Sequence, residues 1–261
     1  MQKLLNFEVI SEPNFKKIVV IAHGLFGSLK NWKSVAKQLA ASGYKVVVVD
    51  MRNHGSSFWD DEHCYKELAH DLKNVINAFG GLADVIGHSM GGKAVMSLAL
   101  LYPECVRKLV VVDIAPVKYE HSQLHLIEAL ESVNLNQAET RKELIDLLSL
   151  SINDYALRAF FVQSADLSNS TGKRWFFNLK SLKKNLSIIM DFPNLQLQNS
   201  VPALVIRGAR SNYVSDKHLS ILTNYFPNFK LSTIHNAGHW VHAEKFSEFL
   251  IEINDFLTPK T

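Results

Sequence analysis

The chain alternates between short, almost wholly apolar runs and longer stretches of helical periodicity. Lys17–Ala22, 44–50, 82–87, 108–113 and 203–207 are rich in Val and Ile and bounded by turn residues, the pattern of strands buried on both faces. Phe229–Ile234 reads as a further strand, and 4–10 as a strand at the sheet edge. Between them, 32–41, 65–79, 93–101 and 246–256 carry apolar residues at helical spacing. Strands alternating with helices predict an α/β protein whose mostly parallel central sheet is flanked by helices on both faces.

The alternation stops between 116 and 200. There 123–132, 137–150, 155–163 and 179–189 all read as helices, and no strand is predicted. A stretch of this length is not a simple loop of a compact domain. It predicts a helical cap or lid inserted between the two parts of a core, 1–115 and 201–261. The alternative is an added structural layer. The length, 261 residues, suits such an arrangement.

Composition narrows the class of partner. The net charge is +3 with no basic block, which argues against nucleic acid. Lys180, Lys183 and Lys184 read as a solvated helix face. Cys64 and Cys105 have neither metal-site nor disulfide-framework spacing, which fits a reducing compartment. The segment 1–10 carries Lys3, Asn6 and Glu8 and has no apolar h-region, and no apolar run is long enough to span a membrane. The expectation is a cytoplasmic monomer or small homo-oligomer without membrane or nucleic-acid partners. No His-Glu-x-x-His pattern occurs, and neither metal nor cofactor is expected.

The strongest chemical signal is Gly87-His88-Ser89-Met90-Gly91, between an apolar run and a helical stretch. That context is the nucleophile elbow, in which a serine sits on a strained strand-to-helix turn with small neighbours two residues away on either side. The turn exposes the Ser89 hydroxyl and aims the Met90 N–H at a reacting carbonyl oxygen. A serine hydroxyl needs a base. The chain order serine, acid, histidine points to His239 in Asn236-Ala237-Gly238-His239-Trp240, with His235 and His242 as nearby rivals. His70, His121, His125 and His218 read as surface residues of helical segments. The carboxylate that orients the base is expected at a strand end. Ser211 occupies one such place and Asp113 the other, so Asp113 is assigned and Asp216 is the runner-up. The loop His23-Gly24-Leu25-Phe26-Gly27-Ser28 is placed to supply a second oxyanion donor, the Leu25 N–H or alternatively that of Phe26, with His23 bracing it.

These motifs, together with Asn31-Trp32, Asp50-Met51-Arg52-Asn53-His54-Gly55-Ser56-Ser57, Gly92-Lys93, Asp113-Ile114-Ala115-Pro116 and Val241-His242-Ala243-Glu244, resemble the YbfF-like acyl esterases of the α/β-hydrolase superfamily. The resemblance spans the sheet portion. It implies an acid after the earlier strand and a serine at the later position, in agreement with Asp113 and Ser211. In the cap the chain reads Trp175-Phe176-Phe177-Asn178 where that branch has Trp-Arg-x-Asn. Phe176 in place of a cation implies a more apolar acyl pocket.

The expected activity is serine esterase or thioesterase action on short- to medium-chain acyl esters or thioesters through an acyl-enzyme. Ser89, Asp113 and His239 are the expected catalytic residues, and Leu25 and Met90 the oxyanion donors. Phe26, His88, Trp175, Phe176 and Trp240 are expected to contact substrate. The cap aromatics Phe160, Phe161 and Phe177 are further candidates for the pocket wall. A carbon–carbon bond hydrolase or a cofactor-free perhydrolase would use the same triad, and a non-catalytic receptor the same fold. A haloalkane dehalogenase would need Asp at position 89.

Overall fold

The computed structural model describes residues 3–15, 17–168 and 172–258. The first two residues of the segment read for a leader, residues 169–171 of the predicted insertion and 259–261 of the predicted core lie outside them. The strands are β1 (Phe7–Ser11), β2 (Lys17–Ala22), β3 (Tyr44–Val49), β4 (Ala83–His88), β5 (Val106–Val112), β6 (Ala165–Asp166), β7 (Arg174–Trp175), β8 (Ala203–Gly208) and β9 (Phe229–Ile234). Seven of them form one sheet in the order β1-β3-β2-β4-β5-β8-β9. Among the described residues of this sheet, only the β1–β3 pair is antiparallel.

The strand residues divide by parity. Val19, Ile21, Val46, Val48, Ile86, Val110 and Val112 join one buried cluster with α1 (Lys33–Ala41). Val20, Val47, Val85, Leu109 and Val111 join the opposite cluster with α2 (Tyr65–Ala78) and α3 (Met90–Leu101). Apolar side chains on both faces explain why these strands read as continuous Val/Ile runs rather than as alternating ones.

Between β5 and β8 the chain leaves the sheet. It forms α4 (Leu124–Ser132), α5 (Arg141–Leu148), α6 (Tyr155–Val162), α7 (Leu179–Lys184) and α8 (Leu186–Met190). The expectation of no strand there is corrected: β6 and β7 pair as a short antiparallel ladder, Ala165 with Trp175 and Asp166 with Arg174. Two residues per strand leave no periodicity to read. The helix expected over 179–189 is interrupted at Asn185, whose side chain donates to Ser181 O (2.9 Å) and Asp61 O (2.8 Å). Beyond β8 follow α9 (Leu219–Tyr225), α10 (Val241–Glu244) and α11 (Phe246–Leu257), the last packing on the α1 face through Phe249, Ile253 and Leu257. His218, expected at the surface, is buried at the start of α9 against Tyr119.

One buried ion pair anchors the loop that follows β3. Arg52 Nε and Nη2 donate to Asp71 Oδ2 and Oδ1 of α2 at 2.5 and 2.9 Å, with both side chains almost fully buried. Arg52 Nη2 also donates to the partly exposed Glu67 Oε2 at 3.1 Å, so it is removal of Arg52 that strands a charge, that of Asp71, in the interior. Arg52→Ala is therefore expected to destabilise the fold by about 3–5 kcal/mol. Urea unfolding measures this, and a loss below about 1 kcal/mol would contradict it.

Candidate active site

Ser89 joins β4 to α3 with φ 52° and ψ −120°, in the left-handed region that is unfavourable for a residue with a side chain. Its N–H donates to Val112 O at 3.1 Å. The flanking glycines are required by close approach. A Cβ on Gly87 would lie 2.2 Å from Gly91 O, and one on Gly91 2.4 Å from Ala22 O. The elbow is thus pressed against the end of β2, which brings the 23–28 loop beside the serine. A Cβ on Gly24 would stand 3.2 Å from Ser89 Cβ.

Asp113 follows β5 and is completely buried. Its Oδ2 accepts from His239 Nδ1 at 2.7 Å and from the Ser211 hydroxyl, and its Oδ1 accepts from Gly208 N–H at 3.0 Å. Ser211 therefore solvates the acid from the position where an acid is absent. Asp216 lies apart: it is exposed and paired with Arg207 at 2.8 Å. The His239 ring stacks on Tyr213 with centroids 4.1 Å apart, and its backbone carbonyl accepts from His88 Nε2 at 2.9 Å. Burial, reinforced by the neighbouring imidazoles, holds His88 well below the ordinary histidine range. His242 is pushed down to about 3, chiefly by burial, and stacks on Trp32 at 4.2 Å. His235 lies exposed in a turn. Of the three histidines considered for the base, only His239 bonds Asp113.

At the loop beside Ser89, His23 accepts the Met51 N–H at 3.0 Å, and its Nδ1 donates to Gly24 O at 2.7 Å, bracing the turn. The Phe26 N–H is engaged, donating to His54 Nε2 at 3.1 Å. The N–H groups of Leu25 and Met90 have no protein acceptor among the described residues. Phe26 is thereby displaced as the alternative oxyanion donor.

Ser89, His239, Leu25 and Met90 line one cavity of about 270 Å³. Its walls include Ile114, Leu126, Leu157, Phe160, Ile189 and Met190, from the core and from the 116–200 segment. Phe26, His88 and Trp240 line it as expected. Trp175 and Phe176 do not, and this corrects the sequence expectation. Trp175 is buried within the insertion, its indole N–H donating to Leu130 O at 3.1 Å and its ring stacked on Phe177. Phe176 lies between Lys30 and Arg174, so its replacement of a cation says nothing about the cavity wall. Phe161 and Phe177 pack inside, against Phe26. The cation in the wall is Lys93, which was visible in the motif but carried no assigned role. Tyr213 was missed altogether, because a lone aromatic in a loop has no pattern to mark it. Among the described residues no group of side chains gathers as metal ligands do, and no helix is long and apolar enough to cross a membrane.

Lys93 is buried, and its Nζ donates to the backbone oxygens of Met190 (3.0 Å) and Asp191 (2.7 Å). Burial, partly offset by Asp191, pushes the ammonium down to about 7. Between that value and the ordinary lysine range, the unfolded chain binds a proton that the folded one does not. Stability from this group therefore rises with pH across that window. Relative to Lys93→Met, the wild type is expected to gain stability between pH 7 and about pH 10. Parallel urea-denaturation profiles over that range would contradict this.

A family model described as the alpha/beta hydrolase fold matches residues 17–246. The chain is 36% identical over 242 residues to esterase YbfF of Escherichia coli (strain K12), covering 92% of each. It is 36% identical over 263 residues to the sn-1-specific diacylglycerol lipase ABHD11 of Mus musculus, covering 97% of this chain and 85% of that one. A solved structure described as a marine microorganism esterase matches with a TM-score of 0.92 at 36% identity, over 98% of this chain and all (100%) of the other. With the elbow serine, the histidine–aspartate pair and the apolar cavity in one place, these likenesses establish that the chain belongs to the α/β-hydrolase family, in its YbfF-like branch.

Proposed function

We propose that this protein is a serine esterase that hydrolyses short- to medium-chain acyl esters or acyl thioesters through an acyl-enzyme on Ser89. The observation that carries the reading is the 2.7 Å bond from His239 Nδ1 to the buried Asp113 carboxylate. It fixes the tautomer that leaves Nε2 unprotonated, and His239 shares the cavity with Ser89. Relatives named esterase and lipase support ester bonds as the target.

His239 Nε2 takes the Ser89 proton as Oγ attacks the acyl carbonyl carbon. The negative oxygen of the tetrahedral intermediate receives the Leu25 and Met90 N–H groups. As the bond to the leaving oxygen or sulfur breaks, His239 returns the proton to it. Water, deprotonated by the same nitrogen, then attacks the acyl-enzyme, and Ser89 recovers its proton. Asp113 holds the ring and stabilises the imidazolium, with Ser211 and Gly208 holding Asp113. Residues 116–200 act as the cap, contributing Leu126, Leu157, Phe160, Ile189 and Met190 to the acyl pocket. Neither metal nor cofactor takes part, and the protein works in the cytoplasm on small molecules.

The test is turnover of p-nitrophenyl esters of increasing acyl length. Ser89→Ala is expected to lower kcat by about 10³-fold or more, and Asp113→Asn by about 10⁴-fold, with both variants folded. Activity surviving in Ser89→Ala would refute the nucleophile. Activity surviving in Asp113→Asn would return the acid assignment to another carboxylate.

A further inference from the structure

The segment from Asp50 to Ser57 stands out in the sequence, yet the reaction as described uses none of its side chains. His54 within it is completely buried. Its Nδ1 donates to Arg52 O at 2.9 Å, so the unprotonated Nε2 is the acceptor that receives the Phe26 N–H at 3.1 Å. Phe26 has φ 62°, a conformation that a bulky residue keeps only when its surroundings hold it. The holding contacts are specific. Ser164, from the segment between β5 and β8, donates to Phe26 O at 3.3 Å. Gly27 N–H closes the turn on Gly24 O at 3.0 Å. The Phe26 ring packs edge-on against Phe161 and Phe177.

We infer that His54 is a positioning residue for the proposed ester hydrolysis: by accepting the Phe26 N–H it fixes the turn in which the preceding Leu25 N–H faces the reacting carbonyl at Ser89. His54 thereby decides which of two successive backbone donors serves the oxyanion. A free Phe26 N–H would let the turn relax and rotate the Leu25 peptide away, since the peptides that carry the Leu25 and Phe26 N–H groups meet at the Leu25 Cα and are related by its dihedrals. The ring acts as an acceptor only while neutral. Burial together with His23 and His63 keeps it so, well below the ordinary histidine range. The charged group closest in sequence, Arg52, is held away on Asp71. The ring's position is tied to both halves of the molecule, because His54 also pairs by an isolated bridge with Phe177.

This role rests on the esterase reading, and the experiment separates the two. His54→Leu removes the acceptor at similar size, while His54→Gln keeps an amide oxygen able to accept. Steady-state kinetics on the best p-nitrophenyl ester are run beside inhibition by the trifluoromethyl ketone of the same acyl group, a mimic of the tetrahedral intermediate. His54→Leu is expected to lower kcat by about 10–100-fold with KM within about threefold, since a displaced oxyanion donor costs no more than a deleted one. Ketone affinity falls in parallel with kcat/KM, and His54→Gln recovers about tenfold or more of the loss. A merely structural role would not divide the loss this way.

A kcat within about threefold of wild type, a loss carried by KM, or equal losses in the Leu and Gln variants overturns the positioning role. If His54→Leu does not fold, the wild type decides. With ¹⁵N-labelled protein, a scalar coupling between Phe26 N and His54 Nε2 across the hydrogen bond is expected with and without bound ketone. Its absence overturns the inference. Ser89→Ala is the control. Retained activity there removes the esterase reading and this role with it. Collapse there, with His54→Leu unaffected, removes only the role of His54.

Discussion

The close approach of the Ser89 turn to the end of β2 is the constraint on which the rest of the site depends. Backbone meets backbone there, with Gly91 against Ala22 O and Gly87 against Gly91 O, and no side chain fits between. That contact sets the height of the serine above the sheet. It also presses the 23–28 loop against Ser89, so that Leu25 and Met90, from separate elements, line the same cavity. Strain at Ser89 is tolerated because α3 and the parallel strands around β4 leave the turn no alternative path.

Around this turn the protein stacks neutral imidazoles rather than charges. His23, His54, His63, His88 and His242 are all buried and all held below the ordinary histidine range. Each can then both donate and accept, which a protonated ring cannot. His23 and His54 brace the loop beside Ser89, and His88 holds the backbone of His239. The other ionisable groups near the site are handled separately. Asp113 is saturated by donors, Arg52 is sealed against Asp71, and Lys93 is capped by backbone carbonyls. The cavity therefore stays mostly apolar while resting on a dense polar layer.

The helical segment between β5 and β8 is more than a cover. Lys93 reaches from α3 to the end of α8, Ser164 reaches the Phe26 carbonyl, and Tyr119 donates to Tyr213 O at 2.7 Å. Tyr213 in turn lies flat on His239. These contacts join the segment to α3, to the 23–28 loop and, through Tyr213, to the His239 ring. The shape of the cavity and the placing of the His239 ring and the 23–28 loop are thus set by the same packing.

The sequence alone determined the strand–helix alternation, the helical interruption and the elbow, because each is a local pattern. Apolar runs, periodicity and a glycine-flanked serine need no distant partner to be read. It also pointed to Asp113 and His239, since position at a strand end and chain order are properties of the chain. The tertiary structure decided which side chains meet. It turned Trp175 and Phe176 into packing residues, brought Lys93 into the cavity wall, engaged the Phe26 N–H on His54 and stacked Tyr213 on His239. It also showed the ladder between β6 and β7, too short to leave a pattern. These outcomes depend on contacts between residues far apart in the chain, fixed by how the inserted helices settle on the sheet, and no local spacing encodes them.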